Sequence, residues 1–288
     1  MHAAPRRSLP GLVRIALVVT SFGASAPALH AGNEDAPQVT WVEPDAIAPL
    51  PGRATAEQLH FLPVFVLSEG SCMPASAIDA LGRLGKGLPA KRTMDGGCLP
   101  FGRANVYTQS LTVGDRTAHI YAVYFPKDGA SPYGAGGHRH DWEHVIVWTR
   151  DLEVSAVTFA QHSGWYTMPR DRIRLQGEHP VVFVGRAKHG MYHGRNRGPG
   201  SFWDGICYFC DTRQDPGLPW FAPDLLVDVD SLPEHSRALL GLRLWDRANS
   251  PFRDDVFRAN ARTIDGGDSC RGLGCLCKAA KRGCPGFP

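Results

Sequence analysis

The chain has 288 residues and a mass of 31.4 kDa, with 43% hydrophobic, 20% charged and 9% aromatic residues, which excludes disorder and collagen-like repetition. Its 31 Lys and Arg exceed its 28 Asp and Glu by three, and Arg6, Arg7 and Arg14 account for that excess within an acid-free stretch of 31 residues. The remainder is formally neutral and lacks the global positive field that non-specific nucleic-acid binding requires.

Residues 1–31 read as a secretory signal peptide. Arg6 and Arg7 give a positive start, an apolar stretch follows over 12–24, and Ala26-Pro27-Ala28 or Leu29-His30-Ala31 ends it with small residues. The apolar run is shorter than the roughly 20 helical residues that cross a bilayer. Residues 32–58, rich in Pro, Ala and acids, form an extended entry segment, and 60–67 is apolar and β-branched enough for a strand. Over 74–87 the spacing of Ile78, Leu81 and Leu84 predicts a helix. Residues 106–112 and 117–125 are joined by Val113-Gly114-Asp115-Arg116, a hairpin signal. Strands are expected at 143–148 and 153–160, with short apolar runs at 180–184 and 225–227. Ser231-x-x-Glu234 reads as a capping box opening a helix that places Leu239, Leu242 and Trp245 on one face. Many short strands, few helices and no βαβ alternation predict a mostly β protein: a single β-sandwich of antiparallel strands with flanking helices over 32–262.

Eight cysteines agree with export: Cys72, Cys98, Cys207, Cys210, Cys270, Cys275, Cys277 and Cys284. Four lie in the tail 263–288, which has too few apolar residues to bury a core and needs cross-links for order. A zinc knuckle built on Cys207 and Cys210 is the rival reading, and spacing alone leaves the connectivity open.

The densest chemistry runs from Gly137 through His138-Arg139-His140-Asp141-Trp142-Glu143 to His144, with Asp128 ten residues before His138. An inward-facing Glu143 beside apolar residues needs a counter-charge, and a divalent cation satisfies several carboxylate oxygens at once. Two metal readings compete with a solvated polar loop that holds no ion. One is a hard-ion site of Asp128, His138, Asp141 and Glu143, suited to Mg²⁺, Ca²⁺ or Mn²⁺. The other takes His140-x-x-Glu143-His144 as an inverted zincin motif of an extracellular metallo-hydrolase, with His140 and His144 as zinc ligands and Glu143 as base. That chemistry needs a helix. In a strand the two histidines lie about 13 Å apart. No Gly-x-Ser-x-Gly elbow or phosphate-binding Gly-rich loop is present.

Gly137-His138-Arg139-His140-Asp141-Trp142-Glu143 resembles the GHRHDWE heptapeptide of the necrosis- and ethylene-inducing peptide-like proteins. The segment Ile120-Tyr121-Ala122-Val123-Tyr124-Phe125-Pro126-Lys127-Asp128 is similar to that family's second motif. The resemblance extends over roughly residues 40 to 262 and implies a secreted, non-enzymatic cytolysin with an actinoporin- and lectin-like β-sandwich. It implies a divalent cation on Asp128, His138, Asp141 and Glu143, and a disulfide between Cys72 and Cys98. The implied partner is the sugar headgroup of a plant plasma-membrane glycosyl inositol phosphoryl ceramide, met at the membrane surface by a monomer, with no nucleic acid involved. On this reading Arg139 and His140 orient the carboxylates, and His162 and His189 border the cavity. Trp165 and Tyr166, in a turn-like stretch, offer a stacking surface for sugar. A non-lytic sugar-binding or immune-recognised protein is the alternative.

Overall fold

The structure, a computed structural model of the full chain, describes residues 37–90, 93–102, 104–129, 137–161, 164–186, 188–193, 218–264 and 270–271. The expected tail cysteines Cys275, Cys277 and Cys284, the pair Cys207 and Cys210, and His162 lie outside the described residues.

In chain order the elements are β1 (Trp41–Val42), α1 (Ala56–His60), β2 (Val64–Leu67), β3 (Leu84–Gly85), β4 (Val106–Val113), β5 (Arg116–Asp128), β6 (His138–Arg150), β7 (Glu153–Gln161) and β8 (Gly164–Pro169). They continue with β9 (Leu175–Gln176), β10 (His179–Val184), β11 (Met191–Tyr192), β12 (Leu218–Trp220), β13 (Leu226–Asp228), α2 (Glu234–Gly241), α3 (Asp254–Ile264) and β14 (Cys270–Arg271). The larger sheet runs β13-β4-β5-β6-β7-β8-β14, and the smaller runs β11-β10-β2-β12 with β9 on β10. The fold is thus mostly β with flanking helices.

Strands β5 and β6 carry apolar side chains on both faces because both faces are covered. Tyr121, Val123, Phe125, Val145 and Val147 pack with Phe65, Leu67 and Val181 to Val184 of the smaller sheet, which makes the sandwich core. Ile120, Ala122, Tyr124, Ile146 and Trp148 face the other way, into a second core with Leu239, Trp245, Phe257 and Ile264 from α2, α3 and their connection.

Three local expectations change. Residues 74–87 form no helix: Ala75 and Ile78 make isolated bridges to Tyr124 and Leu84, and the Asp79 carboxylate takes the amides of Leu81 and Arg83 in a tight turn. Gly82 and Gly87 have positive φ there, and Leu81 is 77% exposed, so the apolar spacing was not a buried helical face. The capping box lies at Thr55 and Gln58 of α1, where both reciprocal bonds form, and α1 occupies the start of the expected strand at 60–67. Ser231 instead donates to the Asp228 carbonyl, and Pro233 starts α2 without a side-chain cap. Leu242 and Trp245 lie past its end, although Trp245 is buried as a core residue.

The β5–β6 ladder contains a bulge in which Lys127 pairs with both Arg139 and His140. It leaves Lys127 buried, with Nζ donating to the carbonyls of Thr93 (2.9 Å) and Gly96 (2.7 Å). Those carbonyls belong to the segment closed by the Cys72–Cys98 disulfide. Lys127→Met keeps the apolar stem and removes the donors. It is expected to cost about 2 kcal/mol from the carbonyls left unpaired, read as a lower denaturant midpoint at unchanged m-value.

Candidate functional site

The bulge lets the last stretch of the β5–β6 ladder deliver three carboxylates to one place. Asp141 lies across from Phe125 and Glu143 across from Val123, so both point into the inter-sheet layer, and Asp128 closes the ladder opposite His138. A fourth element arrives from the smaller sheet. After β10 the chain turns back, with the Gly185 amide on the Gly190 carbonyl, and holds His189 at φ 48°. The His189 ring stacks flat on Phe125 at 3.8 Å and donates Nδ1–H to Asp141 Oδ2 at 2.9 Å. Its neighbour Lys188 places Nζ 3.1 Å from Asp128 Oδ2.

Asp128, Asp141 and His189 form a cluster whose ligand atoms lie within 4.8 Å of one another. Burial pushes the Asp128 carboxyl up, and the Asp141 charge pushes it further, against the pull of His189, Lys188 and His138. Glu143 is held well above the usual carboxylate range by burial first, then by Asp141 and Asp128. The cluster is therefore short of positive charge. Its donor chemistry fits a hard dication on two counts. Asp128 Oδ1 and His189 Nε2 are buried with no hydrogen-bond partner. His138 donates Nδ1–H to the His140 carbonyl at 2.7 Å, which in the neutral ring turns the Nε2 lone pair toward Asp128 Oδ2, 3.2 Å away. Two acceptors at that separation call for a proton or a cation beside them. Adjacent ligands of a small octahedral ion stand about 3 Å apart.

The cluster opens into a cavity of about 620 Å³. Asp128, His138, Asp141 and Glu143 all line it, with Trp165, Lys188, Arg247, Arg253 and Arg271 among the other lining residues. Among the described residues, β7 pairs with β6 only from Val145 onward, so the 138–144 stretch of β6 borders the cavity instead of a neighbouring strand.

The remaining motif residues go elsewhere. Arg139 donates Nη1 to the carbonyls of Lys86 and Gly87, both at 3.0 Å. His140, at φ 58°, faces the second core, where Nδ1 lies 2.7 Å from the Tyr124 hydroxyl and Trp41 and Trp245 pack against the ring. Burial, then Arg139, lowers its pKa to about 4, so it stays neutral. Gly87 is where this side meets the chain: at φ +66° a Cβ would lie 2.8 Å from Pro126 O, Arg139 Cγ and His140 Nδ1. Trp165 and Tyr166 are in strand β8, not a turn. Trp165 lines the cavity, whereas Tyr166 is fully buried with its hydroxyl 3.0 Å from His193 Nδ1, so it offers no sugar-stacking surface.

The zincin reading falls with its helix. Residues 138–150 are strand, and His140 turns into the core while Glu143 turns into the inter-sheet layer. The Cys72–Cys98 disulfide forms, and Cys270 is also disulfide-bonded. Sequence reasoning took His189 as a cavity neighbour and overlooked Lys188. Neither carries a local motif, since their partners lie 48 and 60 residues away in sequence.

Fold and site together define a β-sandwich with a candidate metal cavity at the rim of its larger sheet. Residues 55–263 match the family described as Necrosis inducing protein (NPP1). The chain is 37% identical over 232 residues to Necrosis-inducing protein NPP1 of Phytophthora nicotianae, covering 76% of this chain and 89% of that one. It is 27% identical to NLP effector protein 2 of Plasmopara viticola (76% and 94% covered). It is 29% identical to NLP effector protein Pc107869 of Phytophthora capsici, of which it spans only 61%. The chain belongs to the necrosis-inducing protein family. The fold is shared with Necrosis and Ethylene inducing Protein 2 from the causal agent of cocoa's Witches Broom disease (TM-score 0.63, 24% identity, 80% of this chain and 99% of that one). It is also shared with NLPPya in complex with mannosamine (TM-score 0.62, 22% identity, 78% and 99%) and with the non-toxic HaNLP3 protein (0.58, 24%, 75% and 95%).

The raised carboxyls set a pH dependence. A carboxyl whose folded pKa lies above its unfolded value contributes stability below the unfolded pKa and loses it as pH rises through the folded one. Chelator-treated protein should therefore melt at lower temperature as pH rises above the ordinary carboxylate range of about 4. The gain in melting temperature from added Mg²⁺ or Ca²⁺ should grow over the same interval, because ion and protons compete for the same oxygens. Lys188→Met, which removes a competing ammonium, should tighten the ion about tenfold by titration calorimetry.

Proposed function

We propose that the chain is a secreted, divalent-cation-dependent cytolysin that binds the sugar headgroup of a plant plasma-membrane glycosphingolipid and damages the membrane. The observation that carries this reading is the buried carboxylate cluster opening into the cavity, with Asp128 Oδ1 unpartnered. Asp128, His138, Asp141 and Glu143 would hold the ion, His189 fixes the Asp141 carboxylate by its hydrogen bond, and Trp165 supplies an aromatic face in the cavity wall. Mostly oxygen donors favour Mg²⁺ or Ca²⁺, with Mn²⁺ next, over zinc. When bound, the ion supplies coordination positions that vicinal sugar hydroxyls can take from water.

Family membership and the effector names of the relatives support an exported toxin working outside the producing cell. Solved complexes of a similar fold with mannosamine and glucosamine support a saccharide ligand. No helix among the described residues is long and apolar enough to cross a membrane. The similarity to a non-toxic member keeps a second reading in view: sugar binding without lysis.

Dye release from vesicles containing plant glycosyl inositol phosphoryl ceramide tests the proposal. Wild type with Mg²⁺ or Ca²⁺ should release dye. Chelation, or Asp141→Asn, should abolish release and headgroup binding together. Headgroup binding without release favours the non-lytic reading, and release that survives both treatments overturns the role of the ion.

A further inference from the structure

His140 stands between two candidate ligands and holds a left-handed backbone, φ 58°, which a residue with a Cβ adopts only when its surroundings impose it. Its carbonyl accepts His138 Nδ1–H at 2.7 Å. That bond selects the tautomer that leaves the His138 Nε2 lone pair free beside Asp128. The next residue in the chain is Asp141. The aim of His138 and the entry of Asp141 into the inter-sheet layer therefore both depend on how one residue is held.

The ring of His140 packs against Tyr124, whose hydroxyl lies 2.7 Å from Nδ1, against Trp245 edge-on at 5.3 Å, and against Trp41 at 5.5 Å. Tyr124 and Trp245 are fully buried, whereas Trp41 is 37% exposed, so Trp41 closes this aromatic box from the solvent side. Trp41 comes from β1 in the entry segment, ahead of residues 55–263, and it does not line the cavity. The same strand reaches the motif by a second route. β1 pairs with β3, where the Leu84 amide donates to the Thr40 carbonyl and the Lys86 amide to the Val42 carbonyl, both at 2.8 Å. Glu43 pairs with the Lys86 ammonium, and the carbonyls of Lys86 and Gly87 take Arg139 Nη1. The entry segment thus supports both residues that precede Asp141, His140 by direct packing and Arg139 through Lys86.

We propose that Trp41 is a positioning residue of the cation site: by packing on His140 it keeps the carbonyl of that residue aimed at His138, so that the entry segment of the chain sets how well the ion is held. The proposal rests on the reading of Asp128, His138, Asp141 and Glu143 as ion ligands. A flat ring against the imidazole resists the rotation of His140 that would relieve its positive φ. Without that ring the peptide relaxes and its carbonyl leaves His138. The His138 ring then takes either tautomer, and in one of them Nε2 carries a proton and cannot bind an ion.

The test is calorimetric titration of the full chain with Mg²⁺ and, separately, with Ca²⁺, paired with the ring-nitrogen NMR spectrum of His138 in the ion-free protein at a pH where its imidazole is neutral. Wild type should bind at least one of the two ions and show a single His138 tautomer, protonated at Nδ1. Trp41→Ala should bind that ion about tenfold more weakly, the lower end of what losing an outer support costs a metal site, and should show His138 with a proton on Nε2 in part of the molecules. Trp41→Phe restores a flat ring and should recover both readouts. Trp41→Leu, which keeps apolar bulk without a flat face, decides the matter if Trp41→Ala does not fold. Phe221→Ala, at an exposed aromatic just past β12 that does not line the cavity, should leave ion affinity within about twofold. Ion affinity within about twofold of wild type in Trp41→Ala overturns the positioning role and leaves the ion reading standing. A loss that Phe221→Ala reproduces, or one that leaves the His138 tautomer unmoved, overturns it too. If wild type binds neither ion, the ion reading falls and the positioning role falls with it.

Discussion

Three carboxylates at the rim of a buried sheet repel one another, and everything around the cavity answers that repulsion. Asp141 receives an imidazole N–H from His189, Asp128 meets Lys188 and His138, and Glu143 is buried in the fields of Asp141, Asp128 and Lys188. In a low-dielectric layer such a cluster is costly unless positive charge is shared among its members. A hard cation is the compact way to supply that charge, and the unpartnered Asp128 oxygen is a candidate ligand for one.

The motif that carries the acids divides its labour by side-chain parity. Asp141 and Glu143 face the inter-sheet layer, while His140 and Trp142 face the second core, where Trp142 meets Tyr107, Tyr124 and Trp245. Arg139 and His140 brace the segment around Gly87, and Lys127 anchors the disulfide-closed loop from the opposite side of the bulge. Polar residues packed so densely in sequence are therefore not all ligands. About half of them hold the backbone in the conformation that points the others inward. The bulge is what makes this possible, because it puts His140 at positive φ and re-aims the strand beyond it.

The far wall of the cavity is assembled differently. It comes from the α2–α3 connection, from α3 and from a two-residue strand on the sheet edge. Edge strands and connections accept change more readily than a strand buried on both faces. Substitutions in this wall are therefore expected to disturb the buried cluster less than substitutions in β5 or β6.

Much of this was legible in the chain itself, wherever the controlling contacts are local. The β4–β5 hairpin follows from its turn, the strands β5, β6 and β7 from their apolar content, and Asp128, His138, Asp141 and Glu143 stand within sixteen residues of one another. Local pattern misled where a stronger partner was close by: at 78–84 the Asp79 turn and glycines at positive φ override helical spacing, and at Ser231 a backbone carbonyl takes the hydroxyl meant for a cap. Other features have no local signature at all. His189 and Lys188 reach the acids only because β10 packs its sheet against β5 and β6, Tyr166 becomes core only because β8 pairs on both sides, and Arg271 joins the cavity only through its register with Trp165. Residue types and short spacings specify which groups carry the chemistry, whereas their meeting across dozens of residues is set by strand pairing and sheet packing, which no single stretch of sequence encodes.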